Sequence, residues 1–257
     1  MDPGIRSPLV DFFRRGDVAR DVRLQAAEGA LAPRAIDQLA LLLVLVDDGD
    51  PEVARLAATT IDRLPAAPLA AFLASPEVSS EMRAFFAGRG VQPAGEAPQT
   101  DEPLIDDGQE EVAEAPADED EMGTSQRLAK MNVMQRIKVA MRGRREERSI
   151  LIRDPNRLVS VAVLSSPKVT EAEIESFAKM ANVSEEVLRV IGMNRQWTKN
   201  YGVIAGLVRN PKTPVAISMN LMQRVNDKDV RMLATDRNVP EPIRLAARKR
   251  ATASRTG

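Results

Sequence analysis

Leu164-Ser165-Ser166-Pro167-Lys168-Val169-Thr170 is echoed 44 residues later by Val208-Arg209-Asn210-Pro211-Lys212-Thr213-Pro214. Leu73-Ala74-Ser75-Pro76-Glu77-Val78-Ser79 has the same form. In each, an apolar run ends, two residues and a proline follow, and a residue suited to opening a helix comes next. Proline does not continue a helix, and Ser or Thr accepts hydrogen bonds from the first free N–H groups of a new one. Asn194 and Asn238 share the 44-residue offset. The pattern reads as one supersecondary unit, helix–turn–helix, used several times. Such units bury their apolar faces only by stacking on neighbours.

Helix signals spread outward from this repeat. Thr170 and Glu173 have capping-box spacing, with Val169 and Ile174 as the hydrophobic staple across it. Val183, Ser184 and Leu188 repeat the staple, and Ile174, Phe177, Ala178 and Ala181 continue a core stripe. Asn156, Thr170, Ser184, Asn194, Thr213 and Asn226 are expected helix starts. Upstream, signals begin at Thr124-Ser125, and Val133, Ile137, Ala140 and Met141 form a stripe that ends near Gly143. In the N-terminal part, Ser7-Pro8, Pro33 and Asp50-Pro51 open three helical segments. The second covers Ala35–Val46, and the third runs through Val53, Ala57, Ile61 and Leu64 to Pro65. Ser79 precedes Met82, Phe85 and Phe86, with Gly88 placed as a C-terminal cap. No alternating strand pattern of useful length occurs, so the expected class is all-α.

Asp50-Pro51-Glu52-Val53-Ala54-Arg55-Leu56-Ala57-Ala58 resembles the second-helix opening of HEAT-type repeats. Asp154-Pro155 through Val161-Ala162-Val163-Leu164-Ser165-Ser166-Pro167, followed by Thr170–Phe177, is similar to leucine-rich repeat variants. The resemblance implies an α-solenoid of stacked short helices, and it implies an architecture rather than an activity. Some variant-repeat proteins carry an iron–sulfur cluster held by cysteines. This chain has no Cys, so that feature does not carry over.

Charge divides the chain into three parts. Residues 1–90 carry 10 basic and 13 acidic side chains, residues 91–122 none and 12, and residues 123–257 carry 26 and 12. The net charge of −1 therefore conceals a strongly basic C-terminal region beside an acidic segment. The expected organisation is a HEAT-like module over 1–90, a linker over 91–122, and a basic helical-repeat module over 123–257. The linker contains Pro93, Pro98, Pro103 and Pro116 and few large apolar residues, so its ordering entropy is not offset and it is expected to be disordered and extended.

Composition closes several functional classes. With neither His nor Cys, ordinary zinc, copper, haem and iron–sulfur sites lack their usual ligands, and the common general base near neutral pH is missing. No cofactor is expected. No glycine is followed by Lys and no GxGxxG occurs, so phosphate loops are absent. Ser165-x-x-Lys168 matches the SxxK pattern of penicillin-recognising enzymes, but Pro167 lies inside it, and a repeat turn explains it better. The longest apolar run, Leu39–Val46, is far shorter than the roughly 20 residues of a membrane span. No basic-then-apolar leader pattern opens the sequence, and the lack of Cys fits a reducing cytoplasm.

Arg127, Lys130, Arg136, Lys138, Arg142, Arg144, Arg145 and Arg148 form a dense cationic run beside Glu146 and Glu147. It is either a solvated helix face with local ion pairs or a docking patch for an acidic partner. Trp197, Tyr201, Ile204, Ala205 and Val208 fall on one helical stripe, and Trp197 is either a core residue or an aromatic anchor. Gly202 and Gly206 on that helix suit close helix packing. Arg244, Arg248, Lys249, Arg250 and Arg255 form a further basic cluster. The expected partner-binding residues are Arg136, Lys138, Arg142, Arg144, Arg145, Arg148, Trp197 and Lys199. The expected function is a non-enzymatic scaffold or adaptor that binds an acidic protein through its basic module. The alternative is a nucleic-acid-binding solenoid using the same surface, although the aromatic interleaving that stacks single-stranded bases is missing.

Overall fold

The computed structural model describes residues 7–32, 34–98, 100–105 and 121–253. Among these, sixteen α-helices and one 3-10 turn carry the fold, and no strand is present. The described residues form two compact units. One comprises Met1–Glu147 with Ser165–Pro167, the other Arg148–Leu164 with Lys168–Gly257. Charge places a boundary at 122/123, whereas packing places it at Glu147/Arg148.

The first unit is built around α3 (Ala35–Val46), which packs against α1 (Pro8–Arg14), α2 (Arg20–Ala27) and α4 (Pro51–Asp62). Its sequence is apolar almost all round, and a helix of that kind is stable only when surrounded. Ser7 and Pro8 start α1. The Asp50 side chain accepts the Glu52 N–H at 2.9 Å to start α4, and Val53, Ala57 and Ile61 face inward. Arg34 precedes α3, and Pro33 lies outside the described residues. In α5 (Ala66–Leu73) and α6 (Ser80–Ala87) the expected proline turn separates two helices, and the Ser79 hydroxyl caps the Met82 N–H at 3.1 Å. Gly88 keeps a right-handed helical conformation. The left-handed glycine is Gly90, with φ 81°.

The linker expectation does not hold for residues 101–105. Gln38 of α3, almost fully buried, accepts the N–H groups of Leu104 and Ile105 at 2.8 and 3.2 Å. Its amide donates to the carbonyls of Gly29 and Ile105 at 2.9 and 3.1 Å. Asp101 accepts the Ala35 N–H through its carbonyl at 3.1 Å and the Ile36 N–H through its carboxylate at 3.3 Å. One buried side chain thus satisfies the backbone of an acidic strap that has little apolar surface of its own. The linker's centre, residues 106–120, lies outside the described residues. Its last two residues belong to α7 (Glu121–Lys130), which is followed by α8 (Val133–Arg142). A capping box of Asn132 and Gln135 separates α7 from α8.

The second unit contains the end of α9 (Arg145–Leu151), α10 (Arg157–Leu164), α11 (Glu171–Lys179) and α12 (Glu185–Met193). The 3-10 turn Trp197–Lys199 then leads to α13 (Tyr201–Arg209), α14 (Val215–Met222), α15 (Asp227–Leu233) and α16 (Glu241–Ala253). Thr170 and Glu173 form the expected capping box, and Ser184 and Asn226 cap α12 and α15. Chain neighbours pack in pairs, and α10 packs on α12, α11 on α13, α12 on α14 and α14 on α16. Gly202 and Gly206 permit the α11–α13 approach. A Cβ at 206 would lie 3.2 Å from the Ala178 Cβ, and one at 202 would meet the Glu175 carboxylate.

Equivalent positions of the repeat do equivalent work. The Ser166 hydroxyl donates to the Met141 carbonyl at 2.7 Å. Asn210, 44 residues on, donates to the carbonyls of Ala178 and Met180, each at 2.9 Å. Both tie a proline turn to the end of an earlier helix. Ser165 is buried and accepts the Leu9 N–H at 3.1 Å, which makes the SxxK match a structural turn.

Candidate functional site

The cationic run is sorted by helix phase. Along α8, Ile137, Val139, Ala140 and Met141 are buried. Arg136 and Lys138 are half-buried, while Arg142, Arg144 and Arg145 are exposed. Those three occupy four consecutive residues of the α8–α9 turn. Gly143 makes the turn possible: its N–H donates to the Val139 carbonyl at 2.7 Å, and a Cβ there would lie 2.5 Å from that oxygen and against the Glu147 carboxylate. The Arg144 N–H donates to Glu147 at 2.6 Å, and Arg127 pairs with the same carboxylate at 2.6 Å. Glu147 is buried, so it anchors the turn from below while the three guanidiniums stand at the surface.

Arg148 departs from the expected docking surface. It is 4% exposed. Its Nε and Nη2 donate to Glu173 at 3.0 Å each, and Nη2 also reaches the Lys168 carbonyl at 3.2 Å. Glu173 in turn accepts the Thr170 N–H and hydroxyl, both at 3.0 Å. Burial is the largest influence on this carboxyl and pushes its pKa up. The Arg148 guanidinium and the two Thr170 donors outweigh it and hold the group below the usual glutamate range. Arg148 fastens α9 to α11, because its position on α9 turns it inward rather than toward solvent.

Trp197 also departs from its expected place. The Asn200 side chain accepts the Gly202 N–H at 2.7 Å and starts α13, so Trp197 lies on the preceding 3-10 turn and not on the α13 stripe. Trp197 is half-buried, and its backbone N–H donates to the Asn194 side chain at 3.3 Å. Lys199 is exposed and donates to Gln196 at 2.7 Å. Ile204, Ala205 and Val208 are buried as expected. Tyr201 is exposed, and its hydroxyl and Arg209 both donate to Asp229 on α15. Burial first, then the Asp229 hydrogen bond, raises the Tyr201 pKa.

Sequence reasoning missed Thr235 and Arg237, which line an open cleft with Arg244 and Arg248 of the C-terminal basic cluster. Spacing along the chain gave no signal for it, because its two halves meet only when α15 packs on α16. Among the described residues, no group of acidic side chains is arranged to hold a metal ion. No described helix is long and apolar enough to cross a membrane. No family model, curated protein or solved structure matches the chain.

Proposed function

We propose that the protein is a non-enzymatic interaction scaffold or adaptor of the cytoplasm that binds an acidic protein partner through its basic helical surface. The carrying observation is the Arg142-Gly143-Arg144-Arg145 turn, which sets three exposed guanidiniums on a support fixed by the buried Glu147. Arg136, Lys138 and Lys199 add charge nearby in sequence or within the second unit. Clustered cations of one sign attract an acidic surface and speed its encounter.

An α-solenoid of HEAT-like repeats is part of the same proposal. It is supported by the repeated proline turns, by the matching roles of Ser166 and Asn210, and by the packing of α10 on α12, α11 on α13, α12 on α14 and α14 on α16. The centre of the acidic segment is proposed as a tether.

The rival occupant of the basic surface is nucleic acid. A mobility-shift titration of the full chain with generic duplex DNA at two salt concentrations separates the two. The proposal expects weak duplex binding and saturable capture of acidic protein ligands. Tight duplex binding that falls steeply with salt would replace it with the nucleic-acid reading.

A further inference from the structure

Four arginines described in the second unit are ion-paired with a described carboxylate. Arg148 is held by Glu173, Arg209 pairs with Asp229, Arg189 with Glu185 at 2.7 Å, and Arg250 reaches Asp227 at 3.5 Å. The cleft between the turn after α15 and α16 brings together three arginines outside that set. It is lined by Thr235, Arg237, Arg244 and Arg248. Arg244 and Arg248 are four residues apart on α16 and so share a face. Arg237 approaches from the turn after α15. Arg248 is steadied by donating to the Ala234 carbonyl at 2.9 Å. Among the described residues, no carboxylate lies within ion-pair distance of Arg237, Arg244 or Arg248. The nearest acid in sequence, Asp236, spends a carboxylate oxygen on the Asn238 N–H at 2.9 Å, closing its own turn.

Three arginines lining one open concavity favour an anion there. Their planar forks match the oxygens of a phosphoryl group. A phosphomonoester near neutral pH carries a charge approaching −2 on a single compact group. The Thr235 hydroxyl, which donates to the Met232 carbonyl at 3.1 Å, is a rotor able to turn toward such an oxygen.

A nucleic-acid strand spreads its charges one per nucleotide and asks for a row of cations with aromatic platforms between them. The cleft has a cluster and no aromatic lining.

We propose that the α15–α16 cleft recognises a phosphorylated side chain of a protein partner, with Arg237, Arg244 and Arg248 as the phosphoryl ligands. This rests on the reading of the protein as an adaptor that binds through cations, and it specifies the chemistry of one contact.

The test uses the full chain, a fluorescent acidic peptide carrying one phosphothreonine, and its unphosphorylated counterpart. The phosphorylated peptide is expected to bind at least tenfold more tightly, with amide NMR shifts concentrated at 234–238 and 244–248. Arg237→Gln/Arg244→Gln should abolish that preference, and Arg237→Lys/Arg244→Lys should restore only part of it. Arg248 is kept intact because it also ties the two helices, and circular dichroism verifies that the variants fold. Arg142→Gln/Arg144→Gln/Arg145→Gln should weaken both peptides alike and leave their ratio unchanged. Equal binding of the two peptides overturns the cleft assignment while leaving acidic docking in place. A preference that survives Arg237→Gln/Arg244→Gln overturns it too. So does displacement of the phosphopeptide by a single-stranded oligonucleotide of higher affinity.

Discussion

Burying a carboxylate and a guanidinium together costs free energy unless each finds several partners, and removing one of them strands the other. Glu173 has Arg148 and both Thr170 donors, and Arg148 adds the Lys168 carbonyl. Glu173→Gln should therefore destabilise the protein by about 3–5 kcal/mol. The folded carboxyl titrates below the ordinary 4.5, so its stabilisation is fully present above that value and fades as pH falls through the folded pKa. Urea midpoints of the wild type and Glu173→Gln should differ widely at pH 7 and converge on acidification below pH 4.5. A gap that stays constant with pH would show that the ionised pair contributes nothing. Half of this pair was legible in the sequence. Thr170 and Glu173 announce each other through capping-box spacing. Arg148 does not, because its partner lies 25 residues away and only tertiary packing supplies it.

At the level of elements, the readable signals were the ones written locally. Ser79, Asp50, Thr170, Ser184 and Asn226 all cap helices where spacing placed them. Asn200 caps a helix as well, yet it sits within the Trp197–Val208 stripe that reads as continuous, and so α13 begins later than the stripe suggests. That shift takes Trp197 off α13. The strap at 101–105 was illegible for another reason. Its composition predicts disorder, but Gln38, hidden in an otherwise apolar helix, supplies the hydrogen bonds the strap lacks. Each such bond contributes a net 0.5–1.5 kcal/mol or so. Gln38→Ala should release the strap, read as lost hydrogen-exchange protection at the Leu104 and Ile105 amides while the α3 core stays protected. Unchanged protection at those amides would mean that the strap is held by something other than Gln38.

Across the whole molecule, charge is organised more plainly than chemistry. The acidic block at 91–122 and the basic excess after 123 are visible by counting. Which cations reach solvent is not, since Arg148 turns inward while Arg142, Arg144 and Arg145 remain exposed. Single exposed ion pairs contribute only about 0–1 kcal/mol each, so the docking proposed for this turn requires several pairs at once and sensitivity to salt. Screening over about 8 Å at physiological ionic strength still lets three adjacent guanidiniums act together. The most direct measurement is fluorescence anisotropy of the full chain with an oligoglutamate peptide, at low and physiological salt, beside Arg142→Gln/Arg144→Gln/Arg145→Gln. The account predicts saturable binding that weakens with salt and drops by about tenfold, or 1.4 kcal/mol, in the triple variant. Equal affinities of the wild type and the triple variant at low salt would contradict it.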